Sequence, residues 1–218
     1  DRPELQEIDL RLPLDPVVGR WQQQVSECLK AEENASVMLD GVTLARDGHR
    51  VRAKYLQIAS GVVYRDDGSV LTLHTAKLDA LREIMDEAQG APVMVVYQFE
   101  HERDMVLAAF PQARVLGQDP AVLEAWNAGE IGLLLVHPLS CGHGINAQFG
   151  GSLQVWFSAT SDAELYTQTC GRLARPGQLA KTVRIIRLIM EGTVDSAAYQ
   201  VVAARQRGER LALEDLGY

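Results

Sequence analysis

From Thr75 onward the chain alternates between short apolar runs and amphipathic stretches, and few folds accept that pattern. Pro92–Tyr97, Ile131–Val136, Leu153–Phe157 and Thr182–Ile189 have strand length and carry few polar residues. Strands of that kind are buried on both faces. Between them, Leu78, Leu81, Ile84 and Met85 recur at helical spacing behind Thr75, and Gly90 closes the stretch. Arg103–Phe110 reads as helix and Ala113–Leu116 as a short strand. Asp119-Pro120 opens a helix through Trp126, because Asp caps and Pro suits the first turn. Ser161-Asp162-Ala163-Glu164 has the pattern of a capping box, and Thr193 opens a last helix through Arg205. Strand and helix in strict alternation predict an α/β fold, a parallel sheet with helices on both faces. Ligands of such sheets bind beyond the carboxyl ends of the strands, so the loops that follow the apolar runs are where chemistry is sought.

The first third reads differently, as a mainly helical segment. Asp15-Pro16 starts a helix with Val18, Trp21, Val25 and Leu29 on one face. A polar stretch surrounds Glu32–Asn34, and Gly41 and Asp47-Gly48 punctuate the next fifteen or so residues. Val51, Tyr55 and Ile58 suggest a second helix ending near Gly61. Val62–Tyr64 and Val70–Leu73 flank Asp66-Asp67-Gly68-Ser69, a hairpin pattern. Residues 1–74 are therefore set apart from residues 75–218.

A net charge of −8 over 218 residues excludes a surface coated in basic residues. The distribution is uneven: between Gln168 and Arg210, eight Arg and Lys stand against three acidic residues. Cys28, Cys141 and Cys170 form no paired framework, which points to a reducing, cytoplasmic setting. No apolar run approaches a membrane span and no signal peptide is visible, so no membrane partner is expected. The chain starts at Asp1 and not Met, so a piece of a longer protein is expected.

Gln168-Thr169-Cys170-Gly171-Arg172-Leu173-Ala174-Arg175-Pro176-Gly177-Gln178 places two arginines three residues apart. On a helix that spacing shares one face, and two converging guanidiniums suit a transferring phosphate, whose transition state spreads charge over several oxygens. A solvated basic helix end has the same composition. The loop His137-Pro138-Leu139-Ser140-Cys141-Gly142-His143-Gly144-Ile145-Asn146 offers two glycines for close backbone approach, with Ser140 and Asn146 as neutral donors. A plain tight turn accounts for the same residues. His137, Cys141 and His143 do not have the spacing of a standard zinc site, and no metal is expected. Gln98-Phe99-Glu100-His101 follows the first apolar run and offers a second contact point. The chain has no Gly-x-x-x-x-Gly-Lys-Ser/Thr loop and no Asp-Glu-x-His box. Phosphate-directed arginines without a phosphate loop suggest half of a two-part site.

These residues resemble a known family. From roughly Leu12 to Arg207 the chain is similar to the second RecA-like lobe of superfamily 2 helicases of the Swi/Snf type, in the compact versions carried by phages and prophages. Lys54–Tyr64 resembles the segment entering the lobe, and His74–Leu81 its first helix. Val95–His101 resembles motif IV, His137–Gln148 motif V, Gln168–Gln178 motif VI, and Glu191–Asp195 the turn beyond it. The resemblance implies a DNA-dependent ATPase or translocase in which residues 1–74 are a linker and helical protrusion and residues 75–218 the C-terminal RecA-like lobe. Arg172 and Arg175 would be catalytic, with Arg175 the arginine finger. Gln168, Gly142 and Gly144 would join them at the nucleotide. Gln98, His101, Ser140, His143 and Asn146 would lie along DNA. ATP with magnesium would be held mainly by the N-terminal lobe of the same protein, the other partner being duplex DNA in a bacterial or phage-infected cytoplasm. The isolated chain would not hydrolyse ATP. Ser161, Ala147 and Pro176 depart from the family pattern: Ser161 stands where relatives often carry Trp near the duplex. The alternative reading is a non-catalytic nucleic-acid-binding or adaptor module on the same fold.

Overall fold

The four residues Val93–Val96 form strand β6, all buried, and the rest of the molecule is arranged around them. The structure, a computed structural model, describes residues 2–30, 36–45, 48–117, 119–141 and 144–218. Before β6 come β1 (Glu4–Leu12), α1 (Pro16–Lys30), β2 (Ser36–Leu39), β3 (Val42–Ala45), α2 (Gly48–Ser60), β4 (Val62–Tyr64), β5 (Val70–Thr72) and α3 (Ala76–Ala88). After it come α4 (Glu100–Ala109), β7 (Arg114–Val115), α5 (Pro120–Asn127), β8 (Leu133–Val136), β9 (Leu153–Trp156), α6 (Ala163–Cys170), β10 (Thr182–Met190) and α7 (Val194–Gln206).

The main sheet has six strands in the order β1-β10-β9-β6-β8-β7, and every pairing in it is parallel. β6 lies between β8 and β9, with Val93 level with both Leu133 and Leu153. The chain therefore builds outward on one side, through β7 and back to β8, then crosses to the other side for β9 and β10. Alternate residues of β6 feed two cores. Met94 and Val96 pack with Trp126, Trp156 and Tyr166 on one face, where Trp21, Tyr55 and Ile58 of the N-terminal segment join them. Val93 and Val95 pack with Leu78, Leu81, Ile84 and Val106 of α3 and α4 on the other. The alternation of strand and helix thus gives the expected α/β architecture, a parallel sheet flanked by helices with helical elements before it.

Two local readings are corrected, and one turn is made specific. Residues 1–74 hold more than a linker and protrusion, because β1 lies in the main sheet, paired to β10 along nine residues. Ile8, Leu10 and Leu12 alternate with Asp9 and Arg11, a period-two pattern suited to a strand with one covered face. The helix after β9 is capped by Asp162, which accepts the Leu165 N–H at 2.9 Å, so the cap lies one residue beyond Ser161. Asp40-Gly41 is a hairpin turn, with φ of 50° and 80°, joining β2 and β3; both central residues need positive φ, which Gly tolerates and Asp permits. Asp47 and residues 32–34 lie outside the described residues.

Two hydrogen-bonded clusters hold the periphery to the sheet. Arg187 of β10 reaches Asp9 at 2.5 Å and Glu7 at 3.4 Å on β1, and lies 4.7 Å over the Tyr199 ring. Tyr166 donates to Glu7 at 2.7 Å. Lys77, at the start of α3, forms an ion pair at 2.7 Å with Asp195 at the start of α7, and both side chains are fully buried. Asp195 also accepts the Met190 N–H at 3.0 Å. The pair therefore ties two segments far apart in sequence, His74–Leu81 and Glu191–Asp195, across the carboxyl end of β10.

Candidate functional site

The loop between β8 and β9 starts at the carboxyl end of the sheet and must return to its amino end, and its path is fixed by backbone contacts. Pro138–Cys141 make one 3₁₀ turn, leaving Leu139 and Ser140 exposed. The His137 ring bonds the Gln98 carbonyl through Nε2 at 3.2 Å and meets the Leu139 N–H through Nδ1 at 3.3 Å. Gly142 and His143 lie outside the described residues, as does the Cys141 side chain. Gly144 comes next with φ of 73°, a left-handed conformation that favours glycine. On the return, Trp126 Nε1 donates to the Ala147 carbonyl at 2.9 Å and Asn127 Nδ2 to the Asn146 carbonyl at 2.8 Å. Gly150 passes so close to Trp126 that a Cβ would strike both its carbonyl oxygen and its indole.

The arginine segment meets this loop. α6 ends at Cys170, so Arg172 and Arg175 stand on the turns beyond it, and the shared helix face is not the geometry that orients them. Arg172, beside the fully buried Leu173, is 5% exposed, while Arg175 is half-buried. Arg175 Nη1 donates to Asn146 Oδ1 at 2.7 Å and to the Ile145 carbonyl at 3.3 Å. Among the described residues these partners are neutral. Arg187, Arg103, Arg82 and Arg207 by contrast all face carboxylates. A guanidinium without a carboxylate partner keeps its full attraction for an incoming anion. Gln178 fastens the turn from below, donating to the Gly151 carbonyl at 2.9 Å and the Leu173 carbonyl at 3.2 Å.

The remaining candidates fall in other places. Gln168 is exposed on α6, donates to Glu164 at 2.9 Å, and lines an open groove of about 760 Å³ with Thr167, Arg205 and Gln206. Gln98 donates its side-chain N–H to the Ala159 carbonyl, which bridges the loops after β6 and β9. His101 is 4% exposed, stacked on Phe99 with centroids 5.4 Å apart and within 3.3 Å of Ser60 Oγ. Burial pushes its pKa down to about 4, against a small opposing pull from Asp104, so the ring is neutral near pH 7. That burial withdraws His101 from the strand-end surface on which a DNA contact was expected; its ring instead fastens the start of α4 to α2 and β4.

Sequence reasoning missed Glu102, which organises the loop after β6. Fully buried, it accepts the Gln98 N–H at 2.8 Å and the Phe99 N–H at 3.3 Å. Desolvation raises its pKa, offset by those N–H groups and by nearby Lys77. A Glu four residues after Gln98, at the head of a helix, was the available signal. Cys170 is buried, and desolvation pushes its thiol up to about 12, which leaves it unreactive.

A six-stranded parallel sheet of this order, flanked by helices on both faces, is a RecA-like α/β fold. The chain superposes on the C-terminal part of the Fun30 ATPase domain with a TM-score of 0.73 and 14% identity, covering 98% of this chain and 92% of that one. It has a lesser likeness, TM-score 0.46 and 22% identity over 62% of this chain and 29% of the other, to the Pyrococcus furiosus Hef helicase domain. No family model matches the chain. In sequence it is 40% identical over 168 residues to protein p41 of Acyrthosiphon pisum secondary endosymbiont phage 1, covering 75% of this chain. The chain spans about a third of that phage protein's length, 35%. Among the described residues, no helix is long and apolar enough to cross a membrane.

Proposed function

We infer that this chain is the C-terminal motor lobe of a DNA-dependent ATPase of the Swi/Snf type, and that Arg175 is its arginine finger. The observation that carries the reading is the Arg175 guanidinium, half-buried at a loop edge and held by neutral oxygens alone among the described residues. A cation set this way is kept at the loop edge and is not neutralised in advance. ATP with magnesium, presented by an N-terminal lobe of the same protein, would supply a γ-phosphoryl group whose transfer to water spreads negative charge over its oxygens. Arg175 fits the stabilisation of that charge, and such a group is worth about 10³–10⁵ in rate. Arg172, being buried, fits a supporting part behind it. The lobe in this reading takes in β1 as well as the strands and helices from α3 onward, with α1 and α2 packed against it.

Exposed Ser140 and Asn146 suit neutral contacts to DNA phosphates. Gln98 and His101 suit the bracing of neighbouring loops. Phe149 and Leu179, 48% and 85% exposed, flank the arginine turn and suit contact with the first lobe. Closing the two lobes on ATP and reopening them after hydrolysis would move the grip along DNA.

The test is ATP hydrolysis by the complete protein, with and without duplex DNA, for wild type and Arg175→Ala. DNA-stimulated turnover that falls by at least about 10³-fold in the variant, with ATP binding retained, supports the reading. Unimpaired turnover in the variant removes the finger assignment. A wild type that binds nucleic acid without turning over ATP leaves the lobe as a binding or adaptor module.

A further inference from the structure

Asn146 differs from the other residues of its loop in being held at the back and committed at the front. Its carbonyl is pinned by Asn127 at 2.8 Å and the next carbonyl by Trp126 at 2.9 Å. Its side chain is thereby aimed, although it stands on an exposed part of the surface. The amide oxygen accepts Arg175 Nη1 at 2.7 Å. The amide nitrogen makes no hydrogen bond among the described residues. A primary amide has opposite chemistry at its two ends, an acceptor oxygen and two N–H donors. One end of Asn146 thus holds a cation while the other is left for an anion.

We propose that Asn146 is a latch, which parks Arg175 on the loop and lets it go when a phosphate of the DNA backbone engages the amide nitrogen. The inference rests on the reading of Arg175 as the finger. In the parked state Nη1 is turned back into the loop, shared between Asn146 Oδ1 and the Ile145 carbonyl. Nη1 so engaged is withheld from a phosphate on another lobe until it leaves both oxygens. A phosphate drawing on the N–H end swings the amide, and the oxygen leaves Arg175 with it. Asn146 is therefore a positioning residue: it acts on nucleotide only through Arg175, and one side chain links DNA binding to hydrolysis.

The experiment is steady-state ATP hydrolysis by the complete protein, without DNA and then with saturating duplex, for Asn146→Ala, Asn146→Asp and Arg175→Ala. A hydrogen bond from a charged donor at a partly exposed site shifts a population by roughly three- to tenfold. Asn146→Ala should raise DNA-free turnover by about that factor and lower the ratio of DNA-stimulated to DNA-free rate. Asn146→Asp offers a carboxylate that grips Arg175 more tightly and repels phosphate, so its DNA-free turnover should drop below wild type. A simple DNA contact would leave DNA-free turnover of both variants at the wild-type rate, and a purely structural role would lower both; either result overturns the latch. Arg175→Ala separates the two readings. If it abolishes turnover while Asn146→Ala gives no increase, the latch is refuted and the finger stands. If Arg175→Ala leaves turnover intact, the finger reading has failed and the latch fails with it.

Discussion

Replacing Lys77 by Met should be among the most damaging single changes in this protein, and the size of the loss is set by where its charge sits. Lys77 and Asp195 are both fully buried, with Nζ and Oδ2 2.7 Å apart. At an effective dielectric of about 20 that separation corresponds to roughly 6 kcal/mol of attraction. Several kcal/mol of desolvation per ion oppose it, so the intact pair is near neutral for stability. Breaking it is not neutral, because the attraction goes and the desolvation of Asp195 stays. Lys77→Met should cost about 3–5 kcal/mol, against about 5–15 kcal/mol for a whole domain. Asp195→Asn should cost less, about 1–2 kcal/mol, because Lys77 keeps its attraction to Glu102 and an Asn oxygen can still accept the Met190 N–H. The double variant should be more stable than Lys77→Met alone. Urea unfolding followed by tryptophan fluorescence measures this, since Trp21, Trp126 and Trp156 are all buried. The comparison holds if the denaturant slope is unchanged. If the double variant loses the sum of the two single losses, the charges are not coupled, and Lys77 acts through the packing of its stem instead.

Two further expectations concern the strand-end loops. The His101 pKa is depressed by burial to about 4, so as pH falls the unfolded chain binds the proton first and stability is lost between the ordinary histidine range and about 4. Between about pH 7.5 and pH 5 this removes about 2 kcal/mol; His101→Phe should show a correspondingly flatter pH dependence in thermal or urea unfolding, and an identical slope would mean the ring is not desolvated. Gly150→Ala should destabilise by about 1–3 kcal/mol, because the added methyl strikes the Trp126 carbonyl and indole; a wild-type urea midpoint would show that the loop has room to shift.

Most of the sheet could be read from apolar runs, since strands buried on both faces leave a strong local signal. β6, β8, β9 and β10 lie where the runs are. β1 was harder, although Ile8, Leu10 and Leu12 alternate, because half its residues are charged and its partner lies at the far end of the chain. The hairpin at Asp40-Gly41 carried a usable turn signal between two short strands. In the site, spacing brought forward Arg172 and Arg175, and the place after an apolar run brought forward the 137–146 loop, but not how they meet. The end of α6 at Cys170 separates the fates of the two arginines, one buried and one laid on Asn146, and that depends on tertiary packing. His101 looked like a polar loop residue because neither Phe99 stacking nor Ser60 and Tyr64 above it can be read from a linear neighbourhood.

The pairing of β1 with β10 has a consequence for how the chain is made. Asp9 meets an arginine 178 residues downstream, so β1 leaves the ribosome long before its place in the sheet exists. At synthesis rates of about 5–20 residues per second the wait is roughly 10–35 s. During that interval an extended, alternating segment is exposed to any other nascent strand. Glu4, Glu7, Asp9 and Arg11 interrupt its apolar residues, and charges so placed act as gatekeepers against early association. The same Glu7 and Asp9 are then neutralised by Arg187, so what protects β1 from wrong partners while it waits is what selects β10 when it arrives.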